Sequence, residues 1–208
     1  FKLDAEGEIE DMAVDYQAPE EYLVGMSMFV IAREKLIEII RESVPHGKYH
    51  LERDFLLPEY NEGRLKIHVY PFHNVVMFND STLEYYRNSM RLLDEEVRHG
   101  LYRSEVPIYT KVRDAVPTLY GENGRTPNCL VADGCHLFGY AENSIIFREV
   151  EIEEGAEVRD CVVMQGSKIG AGASIQYAIL DKNVTIRPGV RLLGAPDHPL
   201  IINKGAIV

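Results

Sequence analysis

The chain has 208 residues, 46 % of them apolar and 26 % charged, and a formal net charge of −11. This composition is that of an ordinary globular protein with one or two domains and excludes a disordered chain. The negative charge would repel a nucleic-acid backbone, and no apolar run is long enough to span a bilayer, so neither nucleic acid nor a membrane is an expected partner.

The first segment, FKLDAEGEIEDMAV, predicts two strands around a D-A-E-G turn. Because it starts at Phe1 without an initiator methionine, we expect a fragment of a longer protein. Residues 21–31, EYLVGMSMFVI, have the apolar character of a buried strand, and REKLIEIIRESV then predicts a helix. The predicted apolar face of that helix consists of Leu36, Ile39, Ile40 and Val44.

Two further strands are predicted from LKIHVYPF and NVVMF. A helix follows, because Ser81 and Glu84 have the spacing of a capping box. Its predicted buried stripe is Leu83, Tyr86, Met90 and Leu93. Residues 101–128 contain Pro107, Pro117 and Pro127 and no helical period, which indicates an extended connector.

The last part of the chain repeats with a period of seventeen residues. Isoleucines, glycines, apolar pairs and small residues recur together in Ile152, Ile169 and Ile186; Gly155, Gly172 and Gly189; Ile145-Ile146, Val162-Val163 and Ile179-Leu180; and Ser144, Cys161 and Ala178. Apolar positions about six residues apart indicate a coil of three short strands per turn, with glycine at corners that need positive φ. We expect Ile169, Ile175 and Ile179 to point inward and Gln176 to lie on the corner side. A parallel β-helix is strongly preferred over a β-sandwich with accidental spacing.

This order of elements resembles the bacterial glucose-1-phosphate adenylyltransferases, the ADP-glucose-forming enzymes of glycogen synthesis, over essentially the whole chain. The most specific stretches are PIYTKVRDAVPTLYG, NCLVADGCHLFGYAENSIIFREV and AILDKNVTIRPG. The resemblance implies an α/β then all-β architecture. Residues 1–100 would be the carboxyl-terminal part of a nucleotidyltransferase α/β domain, 101–128 a connector, and 129–208 a left-handed β-helix. The family's amino-terminal half, with its nucleotide loop, is missing from the sequence.

The resemblance also implies where a sugar and metal pocket would lie. The family reaction uses a divalent metal such as Mg²⁺ and a lysine for the sugar phosphate. Where the family has Glu-Lys-Pro, this chain has Asp15-Tyr16-Gln17, without the cation; where it has Ser-Met-Gly, this chain has Gly25-Met26-Ser27. Where the family has a metal-binding aspartate, this chain has Asn79, next to Asp80. A helix-terminal role for Asp80 is preferred over metal binding.

These three substitutions make us expect no catalytic residue and no cofactor in this segment. They indicate the regulatory, non-catalytic type of subunit, which works beside a catalytic one in an oligomer. Phosphate-bearing effectors regulate the family, and Arg187, Arg191 and Lys204 are candidate contacts for them, at even odds with ordinary solvated charges.

Three alternatives remain open. The chain could be a catalytic subunit with a divergent pocket, a purely structural assembly module, or a hexapeptide acyltransferase, whose β-helix carries a histidine as general base. For the last, the candidate is His136; His46 and His50 are more simply loop histidines. The three cysteines, Cys129, Cys135 and Cys161, form neither a CxxC pair nor an even set, which is typical of a cytoplasmic protein, and Cys161 is expected inside the coil.

Overall fold

The structure is a computed structural model that describes residues 1–16, 21–111 and 113–208. They form two compact units, residues 1–73 and residues 74–208. Within the described ranges, no helix is both long enough and apolar enough to cross a membrane.

The first unit begins with the predicted hairpin. Strands β1 (Lys2–Leu3) and β2 (Ile9–Asp11) pair antiparallel around the polar turn. Helix α1 (Arg33–Ser43) follows and ends in a 3₁₀ turn at Val44–His46. A wide helical turn at Leu51–Leu56 then leads into the short helix α2 (Leu57–Asn61).

The strands predicted within residues 21–31, 65–72 and 74–78 are absent from the described residues. A strand needs a neighbour to satisfy its backbone groups, and β1 and β2 are the only paired strands that the structure describes in residues 1–73. Val24, Met28 and Val30 are accordingly exposed. On α1, Ile39 is buried, but Ile40 and Val44 are about half exposed, so the predicted apolar face is only partly covered.

Two helices open the second unit. Helix α3 (Thr82–Arg91) starts at the predicted cap, where the Ser81 hydroxyl accepts a hydrogen bond from the Glu84 N–H at 3.1 Å. Helix α4 (Glu95–Leu101) is capped in the same way by Asp94. In both helices the cap satisfies a backbone donor that the helix itself cannot pair.

The rest of the second unit is a parallel β-helix, as the repeat predicts. Its strands are β3 (Leu119–Tyr120), β4 (Leu130–Val131), β5 (His136–Leu137), β6 (Tyr140–Glu142), β7 (Ile145–Ile146), β8 (Glu151–Ile152), β9 (Glu157–Val163), β10 (Lys168–Ile169), β11 (Ser174–Leu180), β12 (Thr185–Ile186), β13 (Arg191–Leu193) and β14 (Leu200–Ile202). The seventeen-residue period is the strand register, since Lys168 pairs with Thr185 and Ser174 with Arg191. The coil starts earlier than the repeat indicates, because β3 lies in the predicted connector and pairs with β5.

Side chains alternate along each strand of the coil between its interior and its outer surface. Ile169, Ile175 and Cys161 are buried in one continuous core, as predicted. Ile179 is not part of that core. Because Ala178 and Leu180 point inward, Ile179 must point outward, where it packs with Val162 and Tyr86 of α3. Gln176 likewise lies on strand β11, facing out, and not at a corner.

Glycine occupies corners where the backbone has positive φ, at Gly155, Gly172 and Gly189, as predicted. A second corner uses Asn143, Asp160 and Tyr177, also with positive φ. At this second corner the last turn carries a longer connection, so that β14, not β13, continues the pairing with the second half of β11. The inserted residues, 195–199, lie beside α3, because Asp197 bonds Arg87 of that helix.

Buried serines link successive turns inside the coil. The Ser167 hydroxyl donates to the carbonyl of Asp181 at 3.0 Å and accepts from the Val184 N–H at 3.3 Å. The Ser144 hydroxyl likewise accepts from the N–H of Cys161 in the next turn, but it donates within its own turn, to the carbonyl of Glu142. The hydroxyl therefore satisfies backbone groups that have no access to water.

We expect Ser167→Ala to destabilise the coil by about 1–3 kcal/mol, because the buried N–H of Val184 loses its acceptor. Ser174→Ala, on the outer side of β11, should change the free energy of unfolding by less than about 0.5 kcal/mol. Chemical denaturation of the two variants tests this, and equal midpoints would contradict the bridging role of Ser167.

Candidate functional site

The predicted metal position, Asn79, is held by helix α3. The Asn88 side-chain nitrogen donates to Asn79 Oδ1 at 3.1 Å and to the carbonyl of Phe78 at 2.6 Å. Asn88 is only 6 % exposed, and its own Oδ1 accepts from Arg91 at 3.1 Å. The oxygen of Asn79 that could face a cation is therefore already engaged, and its remaining polar group is a donor.

The surroundings of Asn79 do not supply the carboxylates that the predicted metal position would need. Asp80 is exposed and lies next to the first turn of α3, where its charge is favourable to the helix dipole. Nowhere in the described ranges do three or more His, Cys, Asp or Glu side chains come close enough to hold a metal ion. Mg²⁺ prefers several oxygen ligands including carboxylates, and this donor set does not fit it.

The other predicted pocket positions lie in the first unit. Asp15 has positive φ, and Tyr16 is 66 % exposed. A Cβ atom at Gly25 would lie 3.3 Å from the Phe1 ring, a tight contact. Gln17 falls outside the described residues. Neither a cation at Tyr16 nor a hydroxyl at Gly25 is available for a sugar phosphate.

Two carboxylates organise the first unit near these positions. Tyr22 donates to Asp11 at 2.6 Å, and this hydrogen bond to an anion raises the pKa of the phenol to about 12. Asp54 accepts from the backbone N–H groups of His50 and Tyr49, and these bonds, with that from Arg53, lower its pKa to about 2. Asp54 lies beside an apolar groove between α1 and the turn at Leu51–Leu56. His50 thus contributes its backbone to a loop, as the loop-histidine interpretation expects.

The three effector candidates are exposed and do not converge. Arg187 and Arg191 flank the corner at Pro188-Gly189. Lys204 lies at another corner, stacked on Lys182, since the N–H of Gly205 bonds the Lys182 carbonyl at 3.0 Å. One strand separates these corners, because Arg187 pairs with Val208, four residues after Lys204. The three cations are therefore divided between two corners, with Arg187 and Arg191 at one and Lys204 at the other.

The histidine proposed for acyl transfer lacks a partner that would make it a base. His136 is exposed on the outer face of β5, with its ring edge-on to Phe138 at a centroid distance of 6.5 Å. The carboxylate one turn along, Glu151, is paired with Lys168 at 3.0 Å. In the part of the chain that the structure describes, no carboxylate bonds His136.

Sequence reasoning missed the groups that fix α3. Tyr86 donates to the carbonyl of Asp160 at 2.7 Å, and burial raises the pKa of its phenol. Arg87 bonds Asp197 in the inserted loop at 2.8 Å. The apolar stripe predicted that Tyr86 is buried, but only the fold shows which surface covers it. Asn88 carries no sequence signal beyond a polar residue within an amphipathic helix.

Known proteins resemble this chain along most of its length. Residues 114–197 match the family model described as GlmU-like, C-terminal hexapeptide. The glycogen biosynthesis protein GlgD of Bacillus subtilis is 35 % identical over 72 % of this chain and 43 % of its own length. GlgD of Geobacillus stearothermophilus is 36 % identical over 88 % of this chain and 52 % of its own length. A glucose-1-phosphate adenylyltransferase of Corynebacterium jeikeium is 28 % identical over 91 % and 51 %.

These similarities indicate the handedness of the β-helix and how much of each relative the chain covers. The hexapeptide match supports a left-handed β-helix, which the period alone leaves open. The chain spans about half the length of the curated relatives it matches. In this chain a short helical region is followed by a β-helix. This is the order of elements that the resemblance predicts for the carboxyl-terminal half of the family's proteins. The chain is therefore homologous to the carboxyl-terminal half of the GlgD and glucose-1-phosphate adenylyltransferase proteins.

Proposed function

We propose that this chain is the carboxyl-terminal half of a regulatory, catalytically weak subunit of a cytoplasmic glucose-1-phosphate adenylyltransferase that serves glycogen biosynthesis. The reaction of such an enzyme joins ATP and glucose 1-phosphate to give ADP-glucose and pyrophosphate. The partner is a catalytic subunit of the same enzyme, and phosphate-bearing metabolites act as effectors. The similarity to two GlgD proteins supports the regulatory type.

The observation that carries the proposal is the engagement of Asn79 by Asn88. A carboxylate at this position would offer negative charge to a divalent metal, whereas the amide offers none. The oxygen of Asn79 is already an acceptor for Asn88, so the position favours hydrogen bonding within the protein over ligation. In addition, Tyr16 lacks the cation and Gly25 lacks the hydroxyl that the family resemblance implies at these positions. We therefore assign no Mg²⁺ to this segment.

The full-length protein that contains this chain should form ADP-glucose slowly when it is alone. We expect a rate at least about 100-fold below that of a catalytic subunit, since the loss of a single electrostatic group in an active site costs about that factor. Mixing the two subunits should change the rate or the effector response of the catalytic one. The assay is the release of pyrophosphate in the presence of ATP, glucose 1-phosphate and Mg²⁺. It measures the rate of the isolated protein and the rate of the mixture.

The matched variant is Asn79→Asp, which restores the carboxylate alone. It should leave the isolated protein slow, because Tyr16 and Gly25 still lack the groups expected to contact the sugar phosphate. Rapid turnover by the unmodified protein without a partner would overturn the proposal. Rapid turnover by Asn79→Asp only would instead identify the metal position as the single defect.

A further inference from the structure

We propose that helix α3 is a strut through which the β-helix fixes the position of Asn79. One side of α3 is bonded to the coil by Tyr86 and Arg87, and Asn88 bonds the opposite side to Phe78 and Asn79. Residues 86 and 88 are two positions apart, or about 200° around a helix, so their side chains leave it in opposite directions. Both are nevertheless buried. The inference deepens the proposed function, because it names a route by which the coil acts on the pocket position.

The contact with the coil combines a buried ring and a directed hydrogen bond. Tyr86 packs on Val162 and Ile179, which are outward residues of strands β9 and β11, adjacent in register. Its hydroxyl reaches the carbonyl of Asp160, at a corner with positive φ. The carbonyl belongs to a corner of fixed backbone conformation and is therefore a rigid acceptor. The hydrogen bond thus fixes the rotation of α3 about its own axis and its position along this face of the coil.

A second attachment leads to the inserted loop. Arg87 is bonded to Asp197 at 2.8 Å and lies 3.5 Å from Glu84 on its own helix. The guanidinium and the Asp197 carboxylate are both half or more exposed, so this pair is weaker than the Tyr86 contact. It nevertheless makes α3 sensitive to the position of the inserted residues 195–199, which belong to the last turn of the coil.

The other side of the strut holds residues 77–80 through one side chain. Asn88 donates to both the Phe78 carbonyl and Asn79 Oδ1. Among the described residues, no turn or loop hydrogen bond between two backbone groups involves residues 77–80. The position of Asn79 therefore depends on the position of Asn88. The position of Asn88 depends in turn on how α3 packs against the coil. A displacement of the coil face at Asp160 would move Asn79 with it.

The Asn88 side-chain amide is also the probe that tests the strut. Because Asn88 is only 6 % exposed and its side-chain nitrogen donates to both Phe78 and Asn79, exchange of its N–H groups with solvent requires α3 or segment 77–80 to open. We would measure this exchange by ¹⁵N nuclear magnetic resonance on the whole chain, relative to the backbone amide of Ile175 in the coil core. The ratio of the Asn88 exchange rate to the Ile175 exchange rate separates local opening from global unfolding. The measurement requires no enzymatic activity.

Tyr86→Phe keeps the ring and removes the bond to Asp160. Exchange at Asn88 should accelerate about fivefold relative to Ile175, the factor that corresponds to one hydrogen bond of typical net strength. The matched control is Tyr120→Phe, since Tyr120 is an exposed tyrosine of the coil with only a 3.4 Å hydroxyl contact to Thr126. It should leave the ratio unchanged.

A second pair of variants leaves α3 itself untouched. Asp197→Asn should accelerate Asn88 exchange about twofold, as expected for a partly exposed ion pair. Its control is Glu151→Gln, which weakens the 3.0 Å pair with Lys168 on another face of the coil. If Asn88 exchange does not respond to Tyr86→Phe or Asp197→Asn, or changes only in step with Ile175, the strut is refuted. Rapid ADP-glucose formation by the isolated protein would refute the proposed function and leave this result standing.

Discussion

Ile175→Ala is expected to lower the free energy of unfolding of the β-helix by about 2–5 kcal/mol. Ile175 is 1 % exposed and is the second residue of β11, paired with Val158 on one side and Leu192 on the other. Truncation removes buried methyl groups and leaves a cavity, because strands fixed by hydrogen bonds in both directions cannot collapse onto it. Guanidinium denaturation followed by circular dichroism measures the change.

The neighbouring variant Gln176→Ala is the matched control. Gln176 faces outward and makes a 3.3 Å contact with the Asp160 carboxylate, so its loss should cost less than about 1 kcal/mol. Equal shifts for the two variants would contradict the alternation of β11. The backbone pairing is the same for both residues, and only the direction of the side chain differs.

The β-helix could be predicted from the sequence because its information is local and repeated. Each turn places an inward isoleucine or valine on its predecessor, so the register is visible as a period. The direction of Ile179 could not be predicted in the same way. Ile179 and Leu180 are both apolar, and only the helix that covers the outer face explains why the outward one is also apolar.

The first unit was harder to predict for the opposite reason. An apolar run such as residues 21–31 shows that burial is favourable but does not specify a partner, and pairing over long sequence distances leaves no local period. Helix α3 was predictable from its cap and stripe, which are local. The bond from Asn88 to Asn79 was not, since it depends on how the chain turns back before Ser81. The resemblance thus predicts a pocket position at Asn79, and only the fold shows that its side-chain oxygen accepts a hydrogen bond from Asn88.

Deletion of residues 200–208 is expected to destabilise the coil by at least about 3 kcal/mol. Strand β14 pairs with Ala178, Ile179 and Leu180, and the carbonyls of Ala206 and Val208 accept from Thr185 and Arg187. Leu200, Ile202 and Val208 cover the end of the core, and even partial burial of three such side chains is worth about that much. The melting temperature should fall accordingly. Strand β14 and residues 206–208 thus close the carboxyl-terminal end of the stack.

Point variants in β14 separate the loss of core cover from the loss of chain. Ile202→Ala should cost about 1–3 kcal/mol, because Ile202 packs on the core, whereas Ile201, which is 51 % exposed, should tolerate alanine within about 0.5 kcal/mol.

Apolar residues that stay exposed on the last turn, namely Leu193, Ile201 and Ile207, are what an association surface would use. Light scattering on the truncated chain should therefore show a lower oligomer mass as well. If the truncated chain kept its full stability and its mass, these nine residues would be neither cap nor interface, and the subunit contact would lie on the faces of the coil.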